Sequence, residues 1–150
     1  MKKTLILCTG NSCRSQMAEG LISNAFPEFQ VYSAGTKPET VNPFAIKAMA
    51  EIGLDISNNI SNHADEYAHI DFDYVFTVCD NAKEICPIFP KANQLIHHSF
   101  TDPADARGTE QEQLKVYILV RDELAAYFTS FFNNENRLGK SPSSLLTTNK

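Results

Sequence analysis

The chain has 150 residues, the size of one domain, and its 43% of hydrophobic residues are enough to form a core without cross-links. A net charge of -5 argues against binding to nucleic acid or to an anionic membrane, so any bound anion must be held by a local arrangement. Four cysteines are too few for a disulfide scaffold, and the apolar run near the N-terminus is too short for a secretion signal. We therefore expect a cytoplasmic protein whose cysteines stay reduced.

The first half of the chain predicts alternating strands and helices. An apolar run at 4–8 indicates a strand, and 15–26 follows as a helix with apolar residues at helical spacing. A second strand is predicted at 30–34. Asn42 then caps a helix that begins at Pro43 and ends at a glycine. The side chains predicted to face inward from this helix are Ala45, Ile46, Met49 and Ile52.

The second half of the chain continues this alternation. Strands are predicted at 73–79 and 93–98, and the first of them is nearly all β-branched or aromatic. The segment 80–86 between them is predicted to be a short helix or a loop, and a long helix covers 110–132. The tail, 133–150, lacks periodicity and is rich in Asn, Ser and Thr, so we expect it to be mostly disordered.

The alternation of apolar strands with helices predicts an α/β fold. Such strands form a parallel sheet that is covered by helices on both faces, here as a single domain over 1–132. Ligands of these folds bind at the carboxyl ends of the strands, where Cys8 and Cys79 both fall. The functional site is therefore expected at that edge of the sheet.

The stretch CTGNSCRS, residues 8–15, joins the first strand to the first helix. A tight loop before a helix directs backbone N–H groups and the positive end of the helix dipole to one point, which suits an anion. Arg14 adds a planar fork that matches two oxygens of a tetrahedral oxyanion. The same positive field stabilises a thiolate at Cys8, to which Ser15 can donate a hydrogen bond. A thiolate placed under a bound oxyanion predicts that Cys8 attacks the central atom of that oxyanion. The predicted ligands of the oxyanion are Thr9, Gly10, Asn11, Ser12, Cys13, Arg14 and Ser15.

The remaining cysteines leave several interpretations open. Cys13 lies inside the loop and is predicted to be a packed thiol without a redox role. Cys79 ends an apolar strand and could be a core residue, whereas Cys86 precedes a proline in a predicted surface loop, where an idle free thiol is unusual. A zinc site formed by all four cysteines is the alternative, although their spacings fit closed tetrahedral geometry poorly.

The pattern Cys-x5-Arg-Ser before a helix resembles the low-molecular-weight protein tyrosine phosphatases. The longer stretch CTGNSCRSQMAEG is more similar to their relatives, the thioredoxin-coupled arsenate reductases. Further matches are VYSAG at 31–35, VNPFAIKAM at 41–49, DISN at 55–58, VCDNAKEICP at 78–87, DPA at 102–104 and VRDEL at 120–124. The resemblance covers roughly 4–128 and implies a four-stranded parallel sheet flanked by helices.

The resemblance also implies an activity and the residues for it. Cys8 would attack the arsenic atom of arsenate while Asp102 protonates the departing oxygen. Cys79 would then attack Cys8 and release arsenite, and Cys86 would attack Cys79 to leave a disulfide that thioredoxin reduces. The implied partners are arsenate and thioredoxin, no cofactor or metal is implied, and the chain is expected to act as a monomer.

Two features favour a reductase over a phosphatase. The phosphatases follow the Asp-Pro of their acid loop with tyrosines, whereas here Asp102-Pro103 is followed by Ala104. The reductases need two further thiols, which Cys79 and Cys86 supply with the spacing of that family, whereas the phosphatase reaction does not need them. A phosphatase stays open as the alternative, as does a non-catalytic domain that binds zinc or regulates through its thiols.

Some relatives hold a potassium ion behind the loop. Its ligands there match Asn11, Glu19 and Ser33, together with an aspartate at the position of Asn62. Asparagine at that position removes one negative charge, which argues against such a site in this chain.

Overall fold

The computed structural model describes residues 2–80 and 89–138 of the chain. Its strands are β1 (Lys2–Cys8), β2 (Phe29–Gly35), β3 (Phe72–Thr77) and β4 (Ala92–His97). They form one parallel sheet in the order β2-β1-β3-β4, so the strand that carries Cys8 lies between two neighbours. The α-helices in the described ranges are α1 (Arg14–Ala25), α2 (Pro43–Glu51) and α3 (Glu110–Leu138).

The larger part of the core lies between the sheet and the α-helices. Met17 and Ile22 of α1 pack there with Phe76 of β3 and with Phe128 and Phe132 of α3. A smaller apolar cluster contains Leu5, Leu7, Phe72, Val75 and Phe89. A 3-10 helix at Ala64–Tyr67 packs against this cluster. The predicted single-domain α/β fold is therefore confirmed. Within the described residues, the side chains of the three α-helices pack into the larger cluster, and those of the 3-10 helix pack against the smaller one.

The α2 helix begins as predicted but buries a different set of side chains. The Asn42 side chain accepts from the Phe44 N–H at 2.8 Å, which caps the helix, and Pro43 is its first residue. Ala48 is buried, although it was not predicted to be. The prediction that Ile52 faces inward is wrong, because α2 ends one residue earlier and leaves this side chain 45% exposed.

The last helix continues beyond its predicted end at 132 and includes 133–138. Tertiary contacts extend it, since the Tyr74 hydroxyl donates to Glu135 at 3.0 Å and the Asn136 amide donates to Glu28 at 3.0 Å. The first part of the predicted disordered tail is therefore helical. The remainder of that predicted tail, 139–150, lies outside the described residues. Within the described ranges, no helix combines the length and apolar character needed to cross a membrane.

Candidate active site

The loop between β1 and α1 surrounds the Cys8 thiol. Cys8 is the last residue of β1, is 2% exposed and has its Sγ 2.9 Å from the Ser15 Oγ. The Asn11 side-chain amide donates to the same Ser15 oxygen at 2.7 Å. Because that oxygen already accepts from Asn11, the Ser15 hydroxyl proton is available to Cys8. A thiolate at Cys8 would therefore receive a hydrogen bond from Ser15.

The backbone carbonyls of this loop accept hydrogen bonds from the segment that follows β2. The pairs are Lys37 N–H to the Thr9 carbonyl at 2.9 Å, Glu39 N–H to the Gly10 carbonyl at 2.8 Å, and Asn42 N–H to the Ser12 carbonyl at 2.9 Å. A planar trans peptide points its N–H opposite to its carbonyl, so a carbonyl bound on the outside leaves the next N–H pointing into the loop. This argument turns the N–H groups of Gly10, Asn11 and Cys13 toward the position of a bound anion.

Gln16 fixes the Asn11 peptide, and sequence reasoning did not identify this role. Asn11 has a φ of 49°, in the left-handed region that asparagine tolerates better than most residues. The buried Gln16 side chain donates to the Asn11 carbonyl at 3.1 Å and lies 3.2 Å from the Asn11 side-chain oxygen. Ser61 donates to the same carbonyl at 2.7 Å. A glutamine in the first turn of a helix after an anion loop is the signal that could have indicated it.

Gly35 allows the end of β2 to approach the loop closely. A Cβ atom at this position would lie 2.4 Å from the Thr9 carbonyl oxygen and 2.9 Å from the Asn11 nitrogen. Both are backbone atoms, so no side-chain rotation relieves the contact. The loop can therefore pack against β2 only because residue 35 has no side chain.

Arg14 and Asp102, two of the candidate site residues, lie together at the loop. Arg14 is 2% exposed, and its Nη1 donates to the Phe100 carbonyl at 3.2 Å. Its Nη2 lies 3.5 Å from Asp102 Oδ2. The other Asp102 oxygen accepts from the Ala104 N–H at 3.0 Å and caps a 3-10 helix at Pro103–Asp105. The cap and the guanidinium thus hold this carboxyl group beside the anion loop.

Cys13 lies in the loop as a buried thiol. Its Sγ is 3.7 Å from Asp102 Oδ1 and 3.6 Å from the Ser12 hydroxyl. Burial raises the pKa of the Cys13 thiol to about 12, and the nearby Asp102 carboxylate acts in the same direction. Cys13 is therefore a neutral thiol at physiological pH and a poor nucleophile.

Cys79 lies at the same edge of the sheet as Cys8. It is fully buried, follows the end of β3, and is engaged in a disulfide, whereas Cys8 is a free thiol. The Val78 N–H donates to the Leu7 carbonyl at 3.0 Å, which continues the pairing of β3 with β1 up to the residue before Cys79. Cys86, the third predicted member of the thiol relay, lies outside the described residues.

The side chains behind the loop are joined by hydrogen bonds. The Ser33 hydroxyl donates to Glu19 at 2.7 Å, and burial raises the pKa of the Glu19 carboxyl, although this hydrogen bond opposes the shift. The Asn11 side-chain oxygen accepts from the Asn62 N–H at 2.8 Å. The Asn62 side chain itself donates to Glu66 at 3.2 Å. The neutral Asn62 side chain brings no negative charge to this group.

Comparisons with known proteins identify the family of this chain. Residues 3–133 match the family described as low molecular weight phosphotyrosine protein phosphatase. An arsenate reductase of Halalkalibacterium halodurans is 46% identical over 134 residues, which are 87% of this chain and 96% of that protein. A solved arsenate reductase in the phosphate binding state has a TM-score of 0.76 at 29% identity and covers 89% of this chain and 98% of its own. Another in the oxidized state has a TM-score of 0.71 at 29% identity and covers 85% of this chain and 93% of its own. The chain therefore belongs to the low molecular weight phosphotyrosine protein phosphatase family, where its similar relatives include arsenate reductases.

Proposed function

We propose that the protein reduces arsenate to arsenite with Cys8 as the nucleophile and thioredoxin as the final reductant. The observation that carries this proposal is the position of two cysteines. Cys8 is the last residue of β1 and Cys79 follows β3, and because these parallel strands are neighbours, both cysteines lie at the same edge of the sheet. A phosphatase needs a single thiolate, whereas a reductase needs a second thiol to take up the oxidation. The names of the relatives and the oxidized state of one of them support the same reaction.

The first step joins the substrate to the enzyme. Arsenate, a tetrahedral oxyanion, would bind to the loop N–H groups and to the Arg14 guanidinium. The Cys8 thiolate then attacks the arsenic atom, an S–As bond forms, and one oxygen leaves as water with a proton from Asp102. Arsenic is still in its pentavalent state in this adduct.

The second step transfers the electrons. The Cys79 thiolate attacks the Cys8 sulfur, and the S–As bond breaks with its electron pair on arsenic, which leaves as trivalent arsenite. The two sulfurs, each oxidised by one electron, are now a disulfide. The Cys86 thiolate attacks Cys79 next and frees the Cys8 thiolate, and the dithiol of thioredoxin reduces the Cys79–Cys86 disulfide. The role of Cys86 in this sequence rests on the motif.

Thiol counting tests the proposed function. Reduced wild type given arsenate without thioredoxin should form one arsenite per chain and lose two free thiols, which peptide mapping should locate at Cys79 and Cys86. The Cys86→Ser variant should also turn over once and stop with Cys8 bridged to Cys79. The Cys79→Ser variant should release little arsenite. If arsenate leaves every thiol of the wild type free, the reductase proposal is wrong.

Phosphoester hydrolysis is a second candidate activity. The position of Asp102 beside Arg14 favours it, because an acid next to the anion loop can protonate the leaving oxygen of a phosphate ester as well. Against it, Pro103 is followed by the small, exposed Ala104, so no aromatic ring stands there to pack on a phosphotyrosine. The Cys79→Ser variant separates the two candidates, since hydrolysis uses water as its second nucleophile and should survive this substitution.

A further inference from the structure

Gln16 of α1 lies behind the loop between β1 and α1, and no step of the proposed reaction uses it. The residue is 1% exposed, although its side chain carries a polar amide. The amide nitrogen lies 3.1 Å from the carbonyl oxygens of Asn11 and Ile60, and the amide oxygen accepts from the Asn59 side chain at 3.1 Å. Because a buried amide without partners would destabilise the fold, these contacts together restrain the side chain.

The surroundings decide which end of the Gln16 amide faces Asn11. Three oxygens lie within reach of the amide nitrogen: the Asn11 carbonyl at 3.1 Å, the Asn11 side-chain oxygen at 3.2 Å and the Ile60 carbonyl at 3.1 Å. A flipped amide would place its own oxygen against all three. The NH₂ group has two hydrogens, so one is directed at Ile60 and the two Asn11 oxygens share the other. Gln16 therefore ties Asn11 to the chain at Ile60.

The Asn11 carbonyl is the first point at which Gln16 acts on the loop. With a φ of 49°, Asn11 has a backbone conformation that few residues other than glycine adopt, and such a conformation persists where the surroundings hold it. Gln16 and Ser61 both donate to the Asn11 carbonyl. In a planar trans peptide the N–H points opposite to the carbonyl, so the Ser12 N–H is directed away from these donors and toward the position of a bound anion.

The Asn11 side chain makes a second connection, toward Cys8. Its nitrogen donates to the Ser15 hydroxyl oxygen at 2.7 Å, and that oxygen lies 2.9 Å from the Cys8 sulfur. The side-chain oxygen of Asn11 accepts from the Asn62 N–H at 2.8 Å and lies next to the Gln16 nitrogen. Since the two ends of an amide turn together, the donors on the oxygen also keep the nitrogen on Ser15.

We propose that Gln16 is a positioning residue for the anion loop, whose side-chain amide fixes both the Asn11–Ser12 peptide and the Asn11 side chain. The proposal rests on the roles that the proposed function gives to this loop and to Cys8. Without the amide, the Asn11 carbonyl loses one of its two donors, and less opposes a rotation of the peptide out of its strained conformation. That rotation would turn the Ser12 N–H away from the anion and weaken binding.

The first test measures the binding of inorganic phosphate to two glutamine variants. Gln16→Met keeps a flexible, unbranched side chain with good helix propensity but cannot donate. We expect it to bind phosphate about tenfold more weakly by titration calorimetry, which is the effect of about one lost hydrogen bond. Gln111→Met is the matched control, because Gln111 is exposed and also lies in the first turn of a helix; its phosphate affinity should stay within about twofold of wild type. Equal affinities of Gln16→Met and wild type would overturn the proposal.

A variant of Asn59 separates positioning from packing. Asn59→Ala removes the donor to the Gln16 oxygen and leaves the bond from the Gln16 nitrogen to Asn11. We expect this variant to be less stable in urea unfolding but to bind phosphate within about threefold of wild type. If Asn59→Ala loses as much phosphate affinity as Gln16→Met does, binding follows the general stability of the fold and the positioning role is wrong.

Proton–nitrogen correlation NMR spectra test the orientation of the two groups directly. Phosphate should shift the Ser12 N–H signal of wild type downfield, because this group becomes a donor to an anion, and should shift it by less than about half as much in Gln16→Met. The side-chain NH₂ signals of Asn11 should also differ between Gln16→Met and wild type before phosphate is added. If Gln16→Met does not fold by circular dichroism, Gln16→Leu replaces it in both tests. Unchanged Ser12 and Asn11 signals in a folded variant would contradict the proposal.

The phosphate measurements also distinguish this proposal from the one it rests on. If wild type binds phosphate but forms no arsenite, arsenate reduction is wrong, and the glutamine comparison still decides the role of Gln16. If wild type and its Cys8→Ser variant both fail to bind phosphate, the loop is not an oxyanion site, and both proposals are wrong.

Discussion

Arg14 and Asp102 face each other at the loop between β1 and α1, with Nη2 of the first 3.5 Å from Oδ2 of the second. The opposite side of the guanidinium donates to the Phe100 carbonyl at 3.2 Å. Arg14 is thus held by two partners from the segment that carries the proposed acid. The residue proposed to bind the oxyanion and the residue proposed to protonate its leaving oxygen are therefore positioned together.

Replacing Arg14 by lysine should be severe, because a point charge cannot make both contacts and still bind two oxygens of the anion. We expect Arg14→Lys to slow single-turnover arsenite formation by about 100-fold and to weaken phosphate binding. The control is Arg107→Lys, since Arg107 is exposed and donates to carbonyls of its own loop. A rate for Arg14→Lys within a few-fold of wild type would show that the planar fork is not needed.

Cys13 should stay out of the chemistry, because its burial and its raised pKa of about 12 keep it a neutral thiol. Brief treatment of the reduced protein with iodoacetamide at pH 8, followed by peptide mapping, should modify Cys8 before Cys13. The Cys13→Ala variant should keep multiple turnovers with thioredoxin and lose about 1 kcal/mol of unfolding free energy in urea. A variant that folds by circular dichroism but stops after one turnover would contradict this assignment.

Gly35→Ala should disturb the loop from the neighbouring strand. The added Cβ would lie 2.4 Å from the Thr9 carbonyl oxygen, so β2 or the loop must move. We expect a loss of about 1–3 kcal/mol in urea unfolding together with weaker phosphate binding.

The matched control for Gly35→Ala is Gly20→Ala in α1. Its Cβ would meet the flexible end of Met49 at 2.9 Å, and alanine favours the helix, so its stability should change by less than about 1 kcal/mol. Wild-type phosphate affinity in Gly35→Ala would show that the loop does not depend on this close approach.

Much of the fold follows from patterns that a sequence displays directly. Apolar runs predict the strands, and Asn42-Pro43 predicts the start of α2, as the structure confirms. The longer α3 was not predictable, because the bond from Tyr74 to Glu135 joins residues far apart in the chain. The family indicated by the loop motif is confirmed as well.

The sequence motifs single out side chains of the candidate site. Cys8 and Arg14 follow from the loop motif, and the structure places Asp102 next to Arg14. The outer support of the loop was not predictable, because the N–H groups of Lys37 and Glu39 are backbone donors that any residue type could supply. These contacts can be identified only from the three-dimensional course of the backbone after β2.

Glu19 provides a prediction about pH. Burial raises the pKa of its carboxyl above the usual range, although the hydrogen bond from Ser33 opposes this shift. The folded protein therefore keeps this proton to higher pH than the unfolded chain does. The stability that the neutral form contributes is complete below the usual glutamate range and is lost as pH rises through the raised pKa.

Glu19→Gln removes this titration and keeps an oxygen that can accept from Ser33. Urea unfolding between pH 4 and pH 8 should find it similar to wild type at the acid end and more stable at the alkaline end. Glu112→Gln is the control of opposite sign, because hydrogen bonds from Thr109 lower the pKa of that exposed carboxyl; it should be slightly less stable than wild type at pH 8. Replacing sodium chloride by potassium chloride should not change these differences, since the neutral Asn62 side chain brings no negative charge to the group around Glu19. If Glu19→Gln is less stable than wild type at pH 8, or if potassium reverses the order, the carboxylate is the form that the fold stabilises.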